Sequence, residues 1–342
     1  MRINKLLFLL VIAVLMCSCG QAQVAPAHKV VVAFYNCENF FDTNDNPDKN
    51  DDEFTPAGKY HYTQKIYDKK LHNIATVIQG MGAAGGLAIL GVAEVENNTV
   101  LNDLVHQPEL ARRGYRYEWY DGPDPRGINV ALIYDPAYFR VLRSEPLHVD
   151  ISATGGKSVT RDVLHVYGIL GGDTVHVFVN HWPSRIGGVD KSDAKRAIAA
   201  RVNKDMIAAL TKKNPGTRAI IMGDLNDNPT DNSIVTVLDA RAEPAQVPRS
   251  GLYDPWANIY KSGTGTEVYK RQWNLFDQII ISGAFLQQKK NKLRFDKAEV
   301  YKPDFIIDTY KGHEGEPHRS FKGTYFINGY SDHFPVMITF TR

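Results

Sequence analysis

Acidic, amide and imidazole side chains follow or open several short apolar runs of this sequence. In AIIMGDLND, Asp224 and Asn226 come directly behind an apolar run, and in SDHFPVMITF, Asp332 and His333 open one. A carboxylate beside an amide can bind a hard cation and a phosphoryl oxygen together, and a histidine can transfer a proton near neutral pH. These residue types indicate metal-assisted hydrolysis, although Gly, Asp and Asn also suit an ordinary turn.

Other apolar runs have chemistry-bearing residues in the same position. VHVFVNH ends with His181, ILGVAEVE carries Glu94 and Glu96, VVAFYN ends with Asn36, and Asp277 comes directly before the run QIII. If these ends converge, they form a pocket that is rich in oxygen donors and free of thiolates, which favours Mg²⁺, Mn²⁺ or Ca²⁺ over zinc. A divalent ion beside two histidines suits attack of water on a phosphoester. The alternative at each position is a solvated strand end or a loop histidine.

The elements that must position these residues alternate between strands and helices. The patterns predict strands at residues 30–35, 87–95, 129–134, 174–179, 219–222, 278–281 and 336–340, and helices at 64–79, 99–105 and 193–212, the last capped by Ser192. Residues 284–330 are predicted to be a loop-rich excursion. No internal repeat or Pro/Ser-rich linker divides the chain, so we predict one α/β catalytic domain over residues 28–342.

The amino-terminal residues have the composition of an export signal. Arg2 and Lys5 precede an apolar run at residues 6–16, which is shorter than the roughly 20 residues of a membrane span. A small residue before Cys19 resembles a bacterial lipoprotein cleavage site, and Gly20-Gln21-Ala22 resembles an ordinary one. We therefore expect residues 1–19 to be a signal peptide and the protein to be exported, as a periplasmic, extracellular or lipid-anchored protein whose membrane contact is the anchor alone.

Composition limits the classes of partner and chemistry. Without the two basic residues of the signal, basic and acidic residues balance at 38 each, so a nucleic acid would have to be held by local charge. Cys37 is the one cysteine well inside the mature sequence, which excludes a disulfide framework and a zinc-thiolate cluster. The sequence has neither a Gly-rich phosphate loop ending in Lys-Ser/Thr nor a Gly-x-Ser-x-Gly elbow. No obligate protein partner is indicated.

The order of these motifs resembles that of the endonuclease/exonuclease/phosphatase superfamily, in its secreted bacterial branch, over about residues 30–342. The motifs are FYNCEN, GVAEVEN, NHWPSR, MGDLND, FDQI and SDHFPV. The resemblance implies a four-layer α/β sandwich, in which two packed mixed β-sheets are flanked by helices. It also implies a metal-dependent phosphoesterase.

The resemblance further implies which residues hold a metal ion. Glu94 would be the main ligand, with Asn36 and Asp332 near the ion, which would be Mg²⁺ or Mn²⁺, with Ca²⁺ as a further candidate. Glu96 lies two residues from Glu94 and is an additional candidate to share the ion.

Catalytic roles are implied in the same way. His333 would be the general base, oriented by Asp277, and His181 the general acid or a donor to phosphate. Asp224 and Asn226 would position the nucleophile, a second metal or the phosphate. In RGINVALIY, Arg126 is a candidate phosphate contact and Asn129 a candidate brace for His181; the full set of candidates is Asn36, Glu94, Glu96, Arg126, Asn129, His181, Asp224, Asn226, Asp277, Asp332 and His333.

The leading prediction is an exported endonuclease that cleaves DNA or RNA. Alternatives are a phosphoesterase of the same superfamily acting on sphingomyelin or an inositol or sugar phosphate, and a binding module with a relict site. Basic candidates for nucleic-acid phosphates are Arg185, Lys191, Lys195, Arg196, Lys270, Arg271 and Arg319. A lipid substrate would instead favour exposed aromatic residues, for which the candidates are Trp182, Phe321, Tyr325 and Phe326.

Overall fold

The computed structural model describes residues 28–82, 85–155 and 159–342, so the predicted signal peptide lies outside the described residues. The strands are β1 (Lys29–Phe40), β2 (Ile89–Val95), β3 (Arg116–Trp119), β4 (Asn129–Tyr134), β5 (Phe139–Leu147), β6 (Val163–Leu170), β7 (Asp173–His181), β8 (Ala219–Asp224), β9 (Ala240–Arg241), β10 (Leu252–Tyr253), β11 (Glu267–Tyr269), β12 (Gln272–Asn274), β13 (Asp277–Ser282), β14 (Arg294–Val300), β15 (Phe321–Lys322), β16 (Tyr325–Phe326) and β17 (Val336–Thr341). The α-helices are α1 (Gln64–Gly80), α2 (Asn98–Val105), α3 (Val189–Lys213) and α4 (Trp256–Lys261). Within these described ranges, no helix is long and apolar enough to cross a membrane.

Two large mixed sheets carry the site at one edge. The first has the strand order β14-β17-β1-β2-β4-β3 and the second β5-β6-β7-β8-β13-β10-β9. Parallel pairs lie at the centre of each sheet, β1 with β2 and β7 with β8, and their neighbours β17 and β13 run antiparallel to them. Strand ends that are far apart in sequence therefore meet at the same edge.

The central strands are apolar on both faces because both faces are covered. In β1, Val32 and Phe34 pack in the core between the two sheets, and Ala33 and Tyr35 pack towards α1 and α2, as expected from the alternation of side chains along a strand. Strand β8 divides its residues in the same way between the inter-sheet core and a third cluster under α3. The four layers of the predicted sandwich are thereby confirmed.

Some elements differ from the sequence prediction. The stretch predicted to be a loop-rich excursion contains β14, which pairs with β17 at the edge of the first sheet, and β5 and β6 were not predicted. Helix α3 begins at Val189 with Gly188 as its N-cap residue. The capping role predicted for Ser192 is wrong, because its hydroxyl donates to the carbonyl of Gly188 at 2.8 Å, inside the first turn.

Candidate active site

Three neighbouring strands of the second sheet end side by side. The register places His181 opposite Asp224 and Asp224 opposite Asp277. The first sheet supplies Asn36 from β1 and Glu94 from β2. The Asn36 amide donates to Asp224 Oδ2 at 3.1 Å and to Glu94 Oε1 at 3.3 Å, so this one side chain joins the polar edges of the two sheets.

Two histidines face the same carboxylate. His333 donates from Nδ1 to Asp277 Oδ2 at 2.7 Å, and its Nε2 lies 4.0 Å from Asp224 Oδ2 and 3.9 Å from Asp332 Oδ1. His181 Nε2 lies 3.6 Å from Asp224 Oδ2 and 3.9 Å from Glu94 Oε1. Because both Nε2 atoms lie at this distance from one oxygen, both imidazoles can reach one reacting group placed beside Asp224.

The three central groups have shifted pKa values. Burial raises the pKa of Asp224 to about 7, and Asp277 and Glu94 add to the rise while His333 opposes it. Burial would lower the pKa of His333, but Asp277 and other nearby carboxylates outweigh it and raise that pKa well above its usual value. Burial and the cations of Arg161 and Arg126 lower the pKa of His181 well below its usual value. At neutral pH this arrangement favours a charged His333 and a neutral His181.

The residues predicted to bind metal occupy different positions around the pocket. Glu94 is partly exposed, and its Oε2 accepts the backbone N–H of Asn39 at 2.7 Å. Asp332 has a side-chain exposure of 31 % and lies 4.0 Å from Arg319. Asn36 is oriented with its oxygen accepting the backbone N–H of Glu38 at 2.9 Å, so its amide nitrogen, rather than its oxygen, faces Glu94.

The donor set suits a hard cation, although its ligands are not preassembled. Among the described residues, no group of three or more His, Cys, Asp and Glu side chains is gathered in a metal-binding geometry. Glu94 nevertheless lies 3.9 Å from His181 and Asp332 lies 3.9 Å from His333, and both histidines lie within 4.0 Å of buried Asp224. Hard divalent cations prefer carboxylate oxygens as ligands, so the side chains of Glu94 and Asp332 suit such an ion.

Asn226 adjoins the site through a turn, not through continuation of β8. Its φ is 51°, its backbone N–H donates to Asp224 Oδ1 at 3.0 Å, and its side-chain amide donates to the Trp182 carbonyl at 3.1 Å. The alternation of a strand therefore does not extend from Asp224 to Asn226. The turn binds Asp224 Oδ1, and Asp224 Oδ2 faces the Asn36 amide and the two histidines.

Glu96 and Asn129 make contacts outside the pocket. Glu96 Oε2 accepts the backbone N–H of Asp42 at 2.7 Å, and burial raises the Glu96 pKa to about 7. Asn129 donates to the Glu96 carbonyl at 2.8 Å and accepts from the backbone N–H of Gly122 at 2.8 Å. Glu96 is thus held away from Glu94, and the hydrogen bonds of Asn129 go to this neighbouring loop rather than to His181.

Arg161, which the sequence did not single out, supports the His181 segment instead. Its buried guanidinium donates to the carbonyls of His181 at 3.0 Å and Trp182 at 2.5 Å, and it pairs with Asp124 at 3.0 Å. Asp124 also pairs with Arg126 at 3.0 Å. Arg126 keeps a side-chain exposure of 48 %, so it remains open to a ligand while Asp124 fixes its orientation.

The profile of the Endonuclease/Exonuclease/phosphatase family matches residues 31–342. The chain belongs to this family. Members of the family are metal-dependent phosphoesterases and nucleases that act on phosphodiester and phosphate ester bonds, and the chain is an enzyme of this type. The comparison with curated proteins finds no match.

Solved structures of the family share the fold at low sequence identity. TDP2 of D. rerio complexed with single-strand DNA product is 15 % identical, with a TM-score of 0.56 over 92 % of this chain and 100 % of that one. The mannosyl-6-phosphatase Bt3783 of Bacteroides thetaiotaomicron is 19 % identical, with a TM-score of 0.56 over 92 % and 100 %. The human Nocturnin catalytic domain with bound sulfate is 16 % identical, with a TM-score of 0.53 over 93 % and 95 %.

A buried lysine network, also missed from the sequence, fixes the end of β1 in this family member. Lys70 is fully buried, donates to the Glu38 carbonyl and lies 2.9 Å from Ser320 Oγ. The backbone N–H of Ser320 donates to Glu38 Oε2 at 2.6 Å. Burial raises the Glu38 pKa to about 7. The helical spacing around Lys70 gave no sign that its ammonium group points inward.

The side chains predicted to meet substrate outside this pocket range from exposed to buried. Those exposed are Lys191, Lys270, Arg271, Arg319 and Tyr325, and those half-buried are Arg185, Lys195 and Phe326. The other assignments need correction where burial removes the side chain from solvent: Arg196 is fully buried and pairs with Asp227 at 2.6 Å, and Trp182 and Phe321 belong to apolar cores.

Proposed function

We propose that the protein is an exported phosphodiester hydrolase, dependent on Mg²⁺ or Mn²⁺, that cleaves within DNA or RNA strands. The observation that carries the proposal is the position of two imidazoles around one carboxylate. His181 Nε2 and His333 Nε2 lie 3.6 and 4.0 Å from Asp224 Oδ2. Hydrolysis of a phosphodiester requires removal of a proton from the attacking water and stabilisation of the negative charge that develops on the phosphoryl and leaving oxygens, so one histidine can serve as the base and the other as a hydrogen-bond donor.

Glu94 and Asp332 are the residues that would hold the ion. Mg²⁺ and Mn²⁺ suit these carboxylate oxygens, and Ca²⁺ is the further candidate. When bound, such an ion polarises a phosphoryl oxygen and offsets the negative charge that surrounds His333.

His333 has the orientation that a general base requires. Its Nδ1–H is held by Asp277 at 2.7 Å, which leaves the Nε2 lone pair of the neutral ring directed into the pocket. Asp277 also stabilises the imidazolium that forms when Nε2 accepts a proton from water. The high pKa of His333 makes this role dependent on positive charge near Asp332 and Asp224, its other acidic neighbours.

His181 has the environment of a neutral imidazole that donates a hydrogen bond. Its Nδ1 is buried without a hydrogen-bond partner among the described residues, so a proton placed there would be an unsatisfied buried donor. The ring proton is therefore better placed on Nε2, which faces Asp224 and Glu94. From that atom the neutral ring can donate a hydrogen bond to a phosphate oxygen or to the leaving oxygen, and it keeps its proton.

Nucleic acid is the substrate class that the surroundings favour. Arg126 stands beside the pocket with its orientation fixed by Asp124. Exposed Lys270 and Arg271 lie on a hairpin that contacts the His333 segment. Local cations of this kind bind successive phosphates of a strand even when the whole chain carries little net charge.

The test is a substrate panel with the purified chain and Mg²⁺ or Mn²⁺. Plasmid, single-stranded DNA and RNA should be cleaved, and EDTA should abolish the cleavage, while sphingomyelin vesicles, inositol phosphates and sugar phosphates should be hydrolysed poorly. His333→Ala and His181→Ala should each lose most activity, and His106→Ala, an exposed histidine on the helical layer, is the matched control. Full activity in His333→Ala, or hydrolysis confined to a lipid or sugar phosphate, would refute the proposal.

Export has its own test. Expressed from its full sequence, the chain should be recovered outside the cytoplasm with its signal peptide removed, by cleavage before Cys19 if Cys19 carries a lipid anchor and at the later small-residue site if it does not. Radiolabelled palmitate should be incorporated into the chain and no longer incorporated in Cys19→Ser if the lipid anchor is present. Secretion of unlabelled chain would favour the ordinary cleavage site, and recovery of the unprocessed chain in the cytoplasm would contradict export.

A further inference from the structure

A cleft of about 740 Å³ opens beside the catalytic residues. One wall is formed by residues 184–189, directly after the NHWP motif, and the other by the β11–β12 hairpin. Asn226 and Asn274 are among its lining residues. The volume lies within the range of about 300 to 1,000 Å³ that is typical of ligand-binding clefts, and it exceeds what the scissile phosphate alone needs.

The hairpin wall is attached to the segment that carries the predicted base. Glu267 forms an antiparallel bridge with His333, and the backbone N–H of Phe334 donates to the carbonyl of Thr266 at 2.8 Å. Trp273 stacks on Phe334 with ring centroids 6.2 Å apart. A group bound in the cleft would therefore lie next to the substituent of the scissile phosphate.

Both rims of the cleft carry cations. Lys270 and Arg271 form the turn of the hairpin, with φ values of 50° and 66°, and both side chains are exposed. Beside the opposite wall, exposed Lys191 lies in the first turn of α3, close to Gly187. Glu267, the acid that lines the cleft, is held by the Asn274 amide at 3.1 Å, and burial raises its pKa. Exposed cations therefore stand at the hairpin turn and beside the facing wall, where exposed Asp190 precedes Lys191.

Apolar surface lies between these charges. Tyr269 on the hairpin is 61 % exposed, and Ile186 on the facing wall is 83 % exposed. The face of a tyrosine can stack on any nucleobase, and stacking on aromatic side chains combined with cations along the backbone is how single strands are held without sequence preference. The Lys-Arg turn is unlike a hairpin that inserts into a membrane, which would present apolar residues at its tip.

We propose that this cleft binds the nucleotides on one side of the scissile phosphate of a single strand. Tyr269 stacks on a base, and Lys270, Arg271 and Lys191 contact the adjacent backbone phosphates. The inference rests on the proposed nuclease function and specifies its substrate as single-stranded nucleic acid. It assigns a binding role to the hairpin and leaves the reacting groups as described above.

The experiment compares single-stranded oligothymidylates of increasing length, from a dinucleotide to about eight nucleotides, by their kcat/KM. For the unaltered chain, kcat/KM should rise with length until the cleft is filled. Tyr269→Ala should reduce the ratio of octamer to dinucleotide kcat/KM by about 5-fold or more, since one stacked base contributes at least this much. Tyr269→Phe keeps the aromatic face and should retain the ratio.

Charge reversal tests the phosphate-binding cations. Lys270→Glu combined with Arg271→Glu should lower the octamer-to-dinucleotide ratio. It should also reduce the slope of log kcat/KM against log salt by about 0.7 for each phosphate that the variant no longer neutralises. Lys191→Glu should lower the ratio and the slope in the same direction. Its matched control is Lys213→Glu, at the other end of α3 and, at about 1.5 Å per residue, about 33 Å away. The control should match the unaltered chain in ratio and slope.

The outcomes separate this inference from the proposed function. If the dinucleotide and octamer are cleaved equally well, or if Tyr269→Ala and the charge reversals change both rates equally, the cleft inference is overturned while the nuclease proposal stands. If no oligonucleotide is cleaved but a sugar phosphate or sphingomyelin vesicle is hydrolysed, the proposed function itself fails. A rise with length that disappears in Tyr269→Ala and in the charge reversals, and is kept in Tyr269→Phe, supports the cleft.

Discussion

Replacement of Asp277 by asparagine tests the predicted base most directly. Asp277 is fully buried; its Oδ2 accepts from His333 Nδ1 at 2.7 Å, and its Oδ1 has no hydrogen-bond partner among the described residues. If the asparagine oxygen faced Nδ1, its NH₂ group would take the unpartnered position, at a cost of about 1 to 3 kcal/mol. The amide should therefore turn its NH₂ towards His333.

This orientation would put His333 in the wrong tautomer. An NH₂ group donating to Nδ1 leaves the ring proton on Nε2, the atom that must accept a proton from water. We therefore expect kcat to fall by about 10² to 10⁴-fold, the range that general base catalysis contributes, with little change in KM. If the oxygen faced Nδ1 instead, loss of the charge assistance alone would cost about 1 to 2 kcal/mol, or about 5- to 30-fold.

The pH profile supplies a second signature. A base must be deprotonated to act, so the rate rises with pH through the pKa of His333. Asp277 raises that pKa, so Asp277→Asn should move the acidic limb of kcat/KM to lower pH and make the deficit smaller in acid. The assay is hydrolysis of bis(p-nitrophenyl) phosphate with Mg²⁺ or Mn²⁺ between about pH 5 and about pH 9.

Two controls make the reasoning refutable. Asp254→Asn is the same change at another fully buried aspartate, which accepts from the Trp256 backbone N–H and pairs with no histidine among the described residues, and it should leave kcat unchanged. In a His333→Ala background, Asp277→Asn should have almost no further effect, because its target is gone. A loss below about 5-fold, an unmoved acidic limb or a full effect without His333 would refute the orienting role.

Three further predictions concern metal binding, support of the site and stability. Glu94→Gln should weaken the affinity for Mn²⁺ by at least about 10-fold in a calorimetric titration; unchanged affinity would remove Glu94 from the ligand set. Arg161→Lys cannot reproduce donation to two carbonyls and a carboxylate, so kcat should fall by about 10-fold or more at nearly constant KM, and a change confined to KM would contradict this. Burial raises the pKa of Asp254 to about 7, whereas an unfolded aspartate has a pKa of about 3.9. The protonated carboxyl group therefore adds up to about 4 kcal/mol to the free energy of unfolding below about pH 4, and this contribution is lost as pH rises through about 7. In urea unfolding, Asp254→Asn should remove this decrease in the free energy of unfolding with pH. Parallel curves of unfolding free energy against pH for Asp254→Asn and the unaltered chain would contradict the prediction.

The strands that build the site were predictable because they are buried on both faces. In β1, β2, β8, β13 and β17 nearly every residue is buried and each strand contains an apolar run, and such runs stand out from their surroundings. Their polar ends could be recognised for the same reason. By contrast, β14 carries the sequence RFDKAEV at a sheet edge, and most of its side chains are exposed or half-buried, so its pattern did not differ enough from that of a loop.

The supporting charges could not be predicted, because their partners exist only in the folded chain. Arg161 donates to two backbone carbonyls that lie 20 and 21 residues away, and Lys70 to a carbonyl 32 residues away. No local sequence pattern encodes such a contact. The same reason explains the error for Arg196: its place near the start of a helix suggested solvent, whereas Asp227, brought close by the turn after β8, holds it in the interior.

Backbone conformation at the strand ends explains why residue spacing alone misplaces some side chains. Glu94 and Asn226 have φ values of 59° and 51°, and Asn39 has 49°, a region that costs a non-glycine residue about 1 kcal/mol or more. Local bonds offset the cost: the Glu94 carboxylate accepts the Asn39 N–H at 2.7 Å, and Asp224 accepts the Asn226 N–H at 3.0 Å. Each left-handed residue interrupts the two-residue alternation of its strand, so Glu94 and Glu96 make separate contacts although they stand two apart. The polar residues of the site therefore stabilise its backbone conformation as well as supplying its chemistry. A substitution such as Glu94→Gln should affect both metal affinity and the conformation of the strand ends.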